Sequence, residues 1–145
     1  MGKSSFLHVG LTVSDFDRSV AFYEKYFGFE LEFKRTFSPE FIAAKKSLYR
    51  LEPGNFAHFG FLHSPDGVVI ELFEFDSQAE PEAAVWNRPG FHHICLKVDD
   101  VIAKCEELKA DGYELFFEPD FRGDPANNQY WVFLKDPDGN MIELQ

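Results

Sequence analysis

Four side chains of this chain stand where its sequence repeats. The stretch Phe61 to Leu72, FLHSPDGVVIEL, returns as Phe133 to Leu144, FLKDPDGNMIEL, sharing F, L, P, D, G, I, E and L; His8 to Asp15, HVGLTVSD, returns as His93 to Asp100, HICLKVDD. Each unit of the repeat opens on a histidine, His8 or His93, and closes on a glutamate, Glu71 or Glu143. Two neutral imidazoles and two carboxylates form a charge-balanced N2O2 set for one divalent metal ion. A carboxylate at such an ion can also act as general base in a proton transfer. Ni, Co, Zn, Mn and Fe all accept these donors, so the identity of the ion stays open.

Strand parity selects the same residues. Val69, Glu71, Phe73 and Phe75 alternate with Ile70 and Leu72, and Met141, Glu143 and Gln145 alternate with Ile142 and Leu144. If the Ile and Leu side chains pack under helices, both glutamates face a cavity enclosed by the sheet, where an unpartnered carboxylate would be costly. His92 adjoins His93 but falls out of register with His8, and alternation sends it to the opposite face. His58 and His63 have no histidine counterpart in the second copy, where Tyr130 and Lys135 stand, and receive no metal role.

The elements that position these groups follow from local chemistry. A strand over 6–13 leads to a helix capped by Ser14 or Asp15, with Phe16, Val20, Tyr23 and Phe27 on one face and Gly28 as its C-cap. A second strand covers 29–35, and the irregular stretch 36–55, with a short helical turn over 40–45, lies where a binding lid would sit. In that region Arg35, Tyr49 and Arg50 are either contacts for an anionic ligand or solvated side chains. The strands 56–63 and 68–75 form a hairpin through a Pro-Asp-Gly turn, in which Pro presets φ and Gly accepts φ > 0. The polar, proline-containing stretch 76–89 reads as the linker between halves. The second half repeats the order: strand 91–98, caps Asp99 and Asp100, helix 101–111 with Gly112 as its cap, strand 113–118, loop 119–128, then the second hairpin.

The expected fold class is therefore α+β: two β-α-β-β-β modules in tandem, about 6–75 and 91–145, joined by a linker at about 76–90 within a single domain spanning 1–145. Their curved, half-barrel sheets carry the helices on the outer face.

Composition narrows the partners. A net charge of −11 argues against nucleic acid and anionic membrane surfaces, which reward clustered Lys and Arg. Eighteen Phe residues suggest an apolar pocket, a buried subunit interface or both, with a Phe-rich core as the plain alternative. Cys95 and Cys105 form no CxxC and read as reduced packing residues; with no membrane-length apolar run and no room for a signal peptide ahead of the first strand, a cytoplasmic protein is expected.

The paired HxxLxVxD and PDGxxIEL motifs resemble those of the vicinal oxygen chelate superfamily over nearly the whole chain. Within it, VIELFEF, the acidic linker and GFHHICLKVDD are similar to the glyoxalase I-like branch, whose four metal ligands match His8, Glu71, His93 and Glu143. Glyoxalase I isomerises the hemithioacetal of glutathione and methylglyoxal. The resemblance implies a metal-dependent lyase or isomerase in which the ion chelates vicinal oxygens of a small substrate while a ligand glutamate, Glu143 or Glu71, moves a proton between adjacent carbons. It also implies a homodimer with sites at the subunit interface, His8 and Glu71 coming from one chain and His93 and Glu143 from the other. Two departures count against glutathione. Thr12 stands where glutathione-using relatives commonly carry Arg, and Phe75 where they carry Asn. Two other readings of the fold are an iron-dependent extradiol-type dioxygenase, which wants a single carboxylate and open positions, and a non-catalytic small-molecule binding protein, which often lacks the ligands.

Overall fold

The computed structural model describes residues 2–123 and 129–145. The chain divides into two compact units, Met1–Glu80 and Pro81–Gln145, parting inside the stretch read as the linker.

The first unit contains strand β1 (His8–Thr12), helix α1 (Phe16–Phe27), strand β2 (Glu30–Phe37), short helices α2 (Pro39–Ala44) and α3 (Lys46–Tyr49), and strands β3 (Ala57–His63) and β4 (Val69–Phe75). The strands lie in the order β1-β4-β3-β2, with β1 parallel to β4 and the other neighbours antiparallel. Helix α1 starts where Asp15 accepts the backbone N–H of Arg18 at 2.9 Å, and it stops at Gly28, which adopts φ 66°. The backbone N–H of Phe16 donates to the carboxylate of Glu74, tying the start of the helix to β4. Beneath α1, Val13, Phe16 and Tyr23 pack with Leu62, Ile70 and Leu72 into a fully buried core. Gly60 is obligatory there, because a Cβ would stand 2.2 Å from the carbonyl oxygen of Phe33 and 2.7 Å from the ring of Phe16.

The second unit contains β5 (His93–Leu96), α4 (Val101–Ala110), β6 (Asp120–Phe121), β7 (Tyr130–Lys135) and β8 (Met141–Leu144), in the order β5-β8-β7-β6. The direction of each pairing matches the first unit, with β5 parallel to β8 and the other neighbours antiparallel. Asp100 caps α4 by accepting from Ala103 N–H at 2.9 Å, and Val101, Cys105 and Leu108 pack over Val132, Leu134, Ile142 and Leu144. Both Pro-Asp-Gly turns close alike. Gly67 and Gly139, at φ 87° and 85°, donate to Ser64 O and Asp136 O.

Three expectations for this unit need correction. The strand expected over 113–118 is reduced to a single bridge, Leu115 to Leu134, and pairing with β7 resumes only at Asp120–Phe121, inside the segment expected to be a loop. Pro119 has no N–H to carry a ladder, which explains the break; the rest of that expected loop, 124–128, lies outside the described residues. The strand expected over 91–98 is trimmed to His93–Leu96, because its partner β8 begins at Met141, opposite His93. The C-cap of α4 is Asp111, with Gly112 following at φ 87°.

Candidate metal centre

Each unit brings together one of the repeated pairs. On adjacent parallel strands His8 faces Val69 and Gly10 faces Glu71, so His8 and Glu71 project from one face, two residues apart in register. Their Nε2 and Oε2 atoms are 2.9 Å apart. The second unit reproduces this: His93 faces Met141, Cys95 faces Glu143, and His93 Nε2 lies 3.3 Å from Glu143 Oε2. A phenylalanine from the next strand flanks each pair. Phe61 lies opposite Glu71 with its ring 5.7 Å from that of His8, and Phe133 lies opposite Glu143 with its ring 5.0 Å from that of His93.

The surroundings of the two carboxylates differ. Glu143 is 7% exposed, and its Oε1 receives Gln145 Nε2 at 2.7 Å and Arg122 Nη1 at 3.4 Å. Burial, followed by the negative charge of Glu143, pushes the Cys95 thiol up to about 11. Among the described residues of its own unit, Glu71 has His8 alone as a hydrogen-bonding partner. The phenol of Tyr49 feels Glu71 at longer range: burial first, then that negative charge, raises it above the usual tyrosine value.

An aromatic wall adjoins the His8–Glu71 pair. Phe61 meets Phe33 at 4.8 Å with the rings tilted by 44°, Phe33 meets Phe59 edge-on at 5.7 Å, and Phe59 lies flat against Phe37 at 3.8 Å and 13°. From Phe37 the contacts continue to Phe41 at 4.5 Å, and Phe73 and Phe75 stack at 6.2 Å beside Tyr49. Phe33, Phe37, Phe59, Phe61, Phe73 and Phe75 are all only half-buried, whereas Leu62, Ile70 and Leu72 on the other face are sealed. Of the three residues weighed as anion contacts, Arg35 lays its guanidinium over the Phe33 ring at 4.7 Å and Tyr49 joins the wall through α3. Arg50 ends α3 in the left-handed region at φ 55°.

This doubled β-α-β-β-β arrangement, with a His–Glu pair in the same place in each copy, has relatives. Residues 5–144 match the Glyoxalase/Bleomycin resistance protein/Dioxygenase superfamily. The chain belongs to that superfamily. It is 31% identical to a lactoylglutathione lyase of Pseudomonas putida, over 96% of this chain and 83% of that one. Among solved structures, a glyoxalase family protein of Bacillus cereus shares the fold with a TM-score of 0.80 at 22% identity, covering 99% of this chain and 96% of that one. Glyoxalase I of Zea mays superposes with a TM-score of 0.68 at 26% identity, over 95% of this chain and 43% of the maize chain.

The donors of this superfamily member fit a divalent cation. Two ligands about 2.1 Å from one ion and subtending 90–109° lie about 3.0–3.4 Å apart, close to the two N···O separations of 2.9 and 3.3 Å. Among the described residues no third His, Cys, Asp or Glu joins either pair in a cluster able to hold an ion. His58 and His63 are engaged elsewhere, with Thr36 at 2.9 Å and Glu32 at 2.5 Å.

Sequence reasoning missed the residues behind the second pair. His92, expected on the opposite face, precedes β5 and stacks on His93 at 4.8 Å, because a residue outside the ladder is not bound by its alternation. Trp86, read as linker, covers both rings at 4.1 and 5.3 Å. Arg122 and Gln145 reach Glu143 from the strand edge and from the end of β8, and Cys95 shares a face with Glu143 where Gly10 stands in the first copy. Parity had already put Gln145 on the face of Glu143, though without a role, and could have placed Cys95; nothing local pointed to Trp86 or Arg122.

Proposed function

We propose that this chain is a metal-dependent lyase or isomerase of the glyoxalase I-like kind, holding one divalent ion through His8, Glu71, His93 and Glu143 and acting on a small substrate with vicinal oxygens. The observation that carries the reading is the equivalence of the two His–Glu pairs, each with imidazole Nε2 against carboxylate Oε2. The lactoylglutathione lyase relative supports the reaction class. The ion, once bound, would act as a Lewis acid on the substrate oxygens. The chain's own carboxylates do the rest. Glu71 or Glu143 takes the proton from one carbon and returns it to its neighbour, so the substrate is rearranged with no oxidant or other co-reactant. Phe61 and Phe133 exclude water from beside the reacting carbons.

The aromatic wall next to Glu71 favours a substrate with an apolar body over a charged tripeptide. Thr12, opposite Phe73 in the β1–β4 register, and Phe75 offer no charge to a peptide carboxylate.

Each half-set needs a second half-set, and we assign the partner as a second copy of this chain in a two-fold homodimer with two equivalent sites. Exposed apolar surface at repeat-equivalent places supports the assembly: Phe6 is 79% exposed and Phe91 is fully exposed, each two residues before a ligand histidine. The test is metal analysis of the purified protein followed by turnover with the hemithioacetals of several thiols. A protein that takes up no divalent ion overturns the reading. No helix among the described residues is long and apolar enough to cross a membrane, and we place the protein in the cytoplasm.

A further inference from the structure

The two candidate ligand histidines are not equally held. His8 leaves Nδ1 buried with no hydrogen-bond partner among the described residues, and the residue before it, Leu7, is largely exposed. In the second unit the residue before the ligand is His92, whose Nδ1 lies 2.7 Å from Nδ1 of His93. Trp86 lies over the pair, 4.1 Å from the His92 ring and 5.3 Å from that of His93, and the Phe133 edge meets His93 from another side at 5.0 Å and 77°. His93 is thus fixed at Nδ1 by a hydrogen bond and on its ring by aromatic contacts, with Nε2 left facing Glu143.

A neutral imidazole that binds an ion through Nε2 carries its proton on Nδ1, and the acceptor for that proton sets both tautomer and ring orientation. We propose that His92, held by Trp86, is the positioning residue for His93: its Nδ1 accepts the Nδ1 proton of His93 when an ion occupies Nε2. His92 then carries its own proton on Nε2. The consequence is an asymmetric centre in which the His93–Glu143 half is pre-organised and the His8–Glu71 half is not. The inference rests on the reading of His93 as a metal ligand.

The test separates acceptor from stacking. His92→Phe keeps a ring under Trp86 but removes the acceptor; His92→Asn puts a carbonyl oxygen near the place of Nδ1 but removes the ring. Co2+ is titrated into each metal-free protein, with visible absorption and calorimetry as readouts, after thermal melting has shown that the variant is folded. His92→Phe should bind Co2+ about 10- to 100-fold more weakly than wild type, and His92→Asn should recover much of that loss. Nitrogen NMR of Zn2+-loaded wild type should show the His93 ring protonated at Nδ1 and coupled to Nδ1 of His92, a readout that does not depend on any variant folding. Equal Co2+ affinity in wild type and folded His92→Phe, or a His93 ring without that coupling, overturns the role of His92 while leaving the metal site standing. Wild type that takes up no Co2+ overturns both.

Discussion

Gln145 donates its Nε2 to Glu143 Oε1 at 2.7 Å, leaving Oε2 turned toward His93. One oxygen of this buried carboxylate is anchored by the protein and the other is presented for use. Glu71 has no such anchor within its own unit, so the two repeat-equivalent glutamates do not stand in equivalent surroundings.

Replacing either carboxylate by its amide keeps the volume and removes the charge. Glu71→Gln and Glu143→Gln should each remove most of the bound divalent ion and lower turnover by about 100-fold or more, the scale of losing a positioned general base. Metal stoichiometry and kcat for both variants check this, with circular dichroism to show that the fold survives. Full activity in both would remove these residues from the site.

The aromatic wall sets an expectation for specificity. Hemithioacetals of thiols with aromatic or extended apolar groups should be turned over with higher kcat/KM than that of glutathione, by about 10- to 100-fold, the range an apolar pocket can discriminate. Thr12→Arg combined with Phe75→Asn should narrow the gap. Efficient turnover of the glutathione adduct by the unmodified chain, saturating at ordinary thiol concentrations, would refute the assignment.

A shared site makes a prediction for mixtures. Chains bearing His8→Ala with Glu71→Ala, mixed under conditions of subunit exchange with chains bearing His93→Ala and Glu143→Ala, should regain activity, because one site in each heterodimer recovers all four ligands. Activity should approach about a quarter of the wild-type value, since half of a random mixture is heterodimer and half of its sites are whole. If none returns, or sedimentation shows a monomer at assay concentration, the four ligands do not come from two chains.

The thiols give a pH-dependent prediction. Burial raises Cys105 to about 11, and burial with the Glu143 charge raises Cys95 to about 11, so the nucleophilic thiolate is scarce for both at neutral pH. Iodoacetamide should label neither at pH 7.5. As the pH nears 11, Cys95, the more accessible of the two, should react well before Cys105, which is 1% exposed. Rapid labelling of Cys95 at pH 7.5, read by mass spectrometry, would contradict the raised value.

By itself the sequence determined what repeats and what is local. The doubled motifs put a histidine on the first strand and a glutamate on the last strand of each module, and alternation along each strand fixes which neighbours share its face; that these two strands lie side by side and parallel, so that the pair meets, belongs to the sheet. The caps Asp15, Gly28 and Asp100 and the Pro-Asp-Gly turns follow from the chemistry of one or two residues. Tertiary structure decided where alternation lapses and where distant segments meet. His92 stacks on His93 because it lies just outside β5, Arg122 reaches a carboxylate 21 residues away, and Trp86 leaves the linker to cover two imidazoles. The strand expected over 113–118 is a single bridge at Leu115, and regular pairing with β7 resumes only after Pro119, which lacks the N–H a ladder needs. Spacing along a chain specifies neighbours only within a regular element; contacts between elements depend on how their faces pack, which no local period encodes.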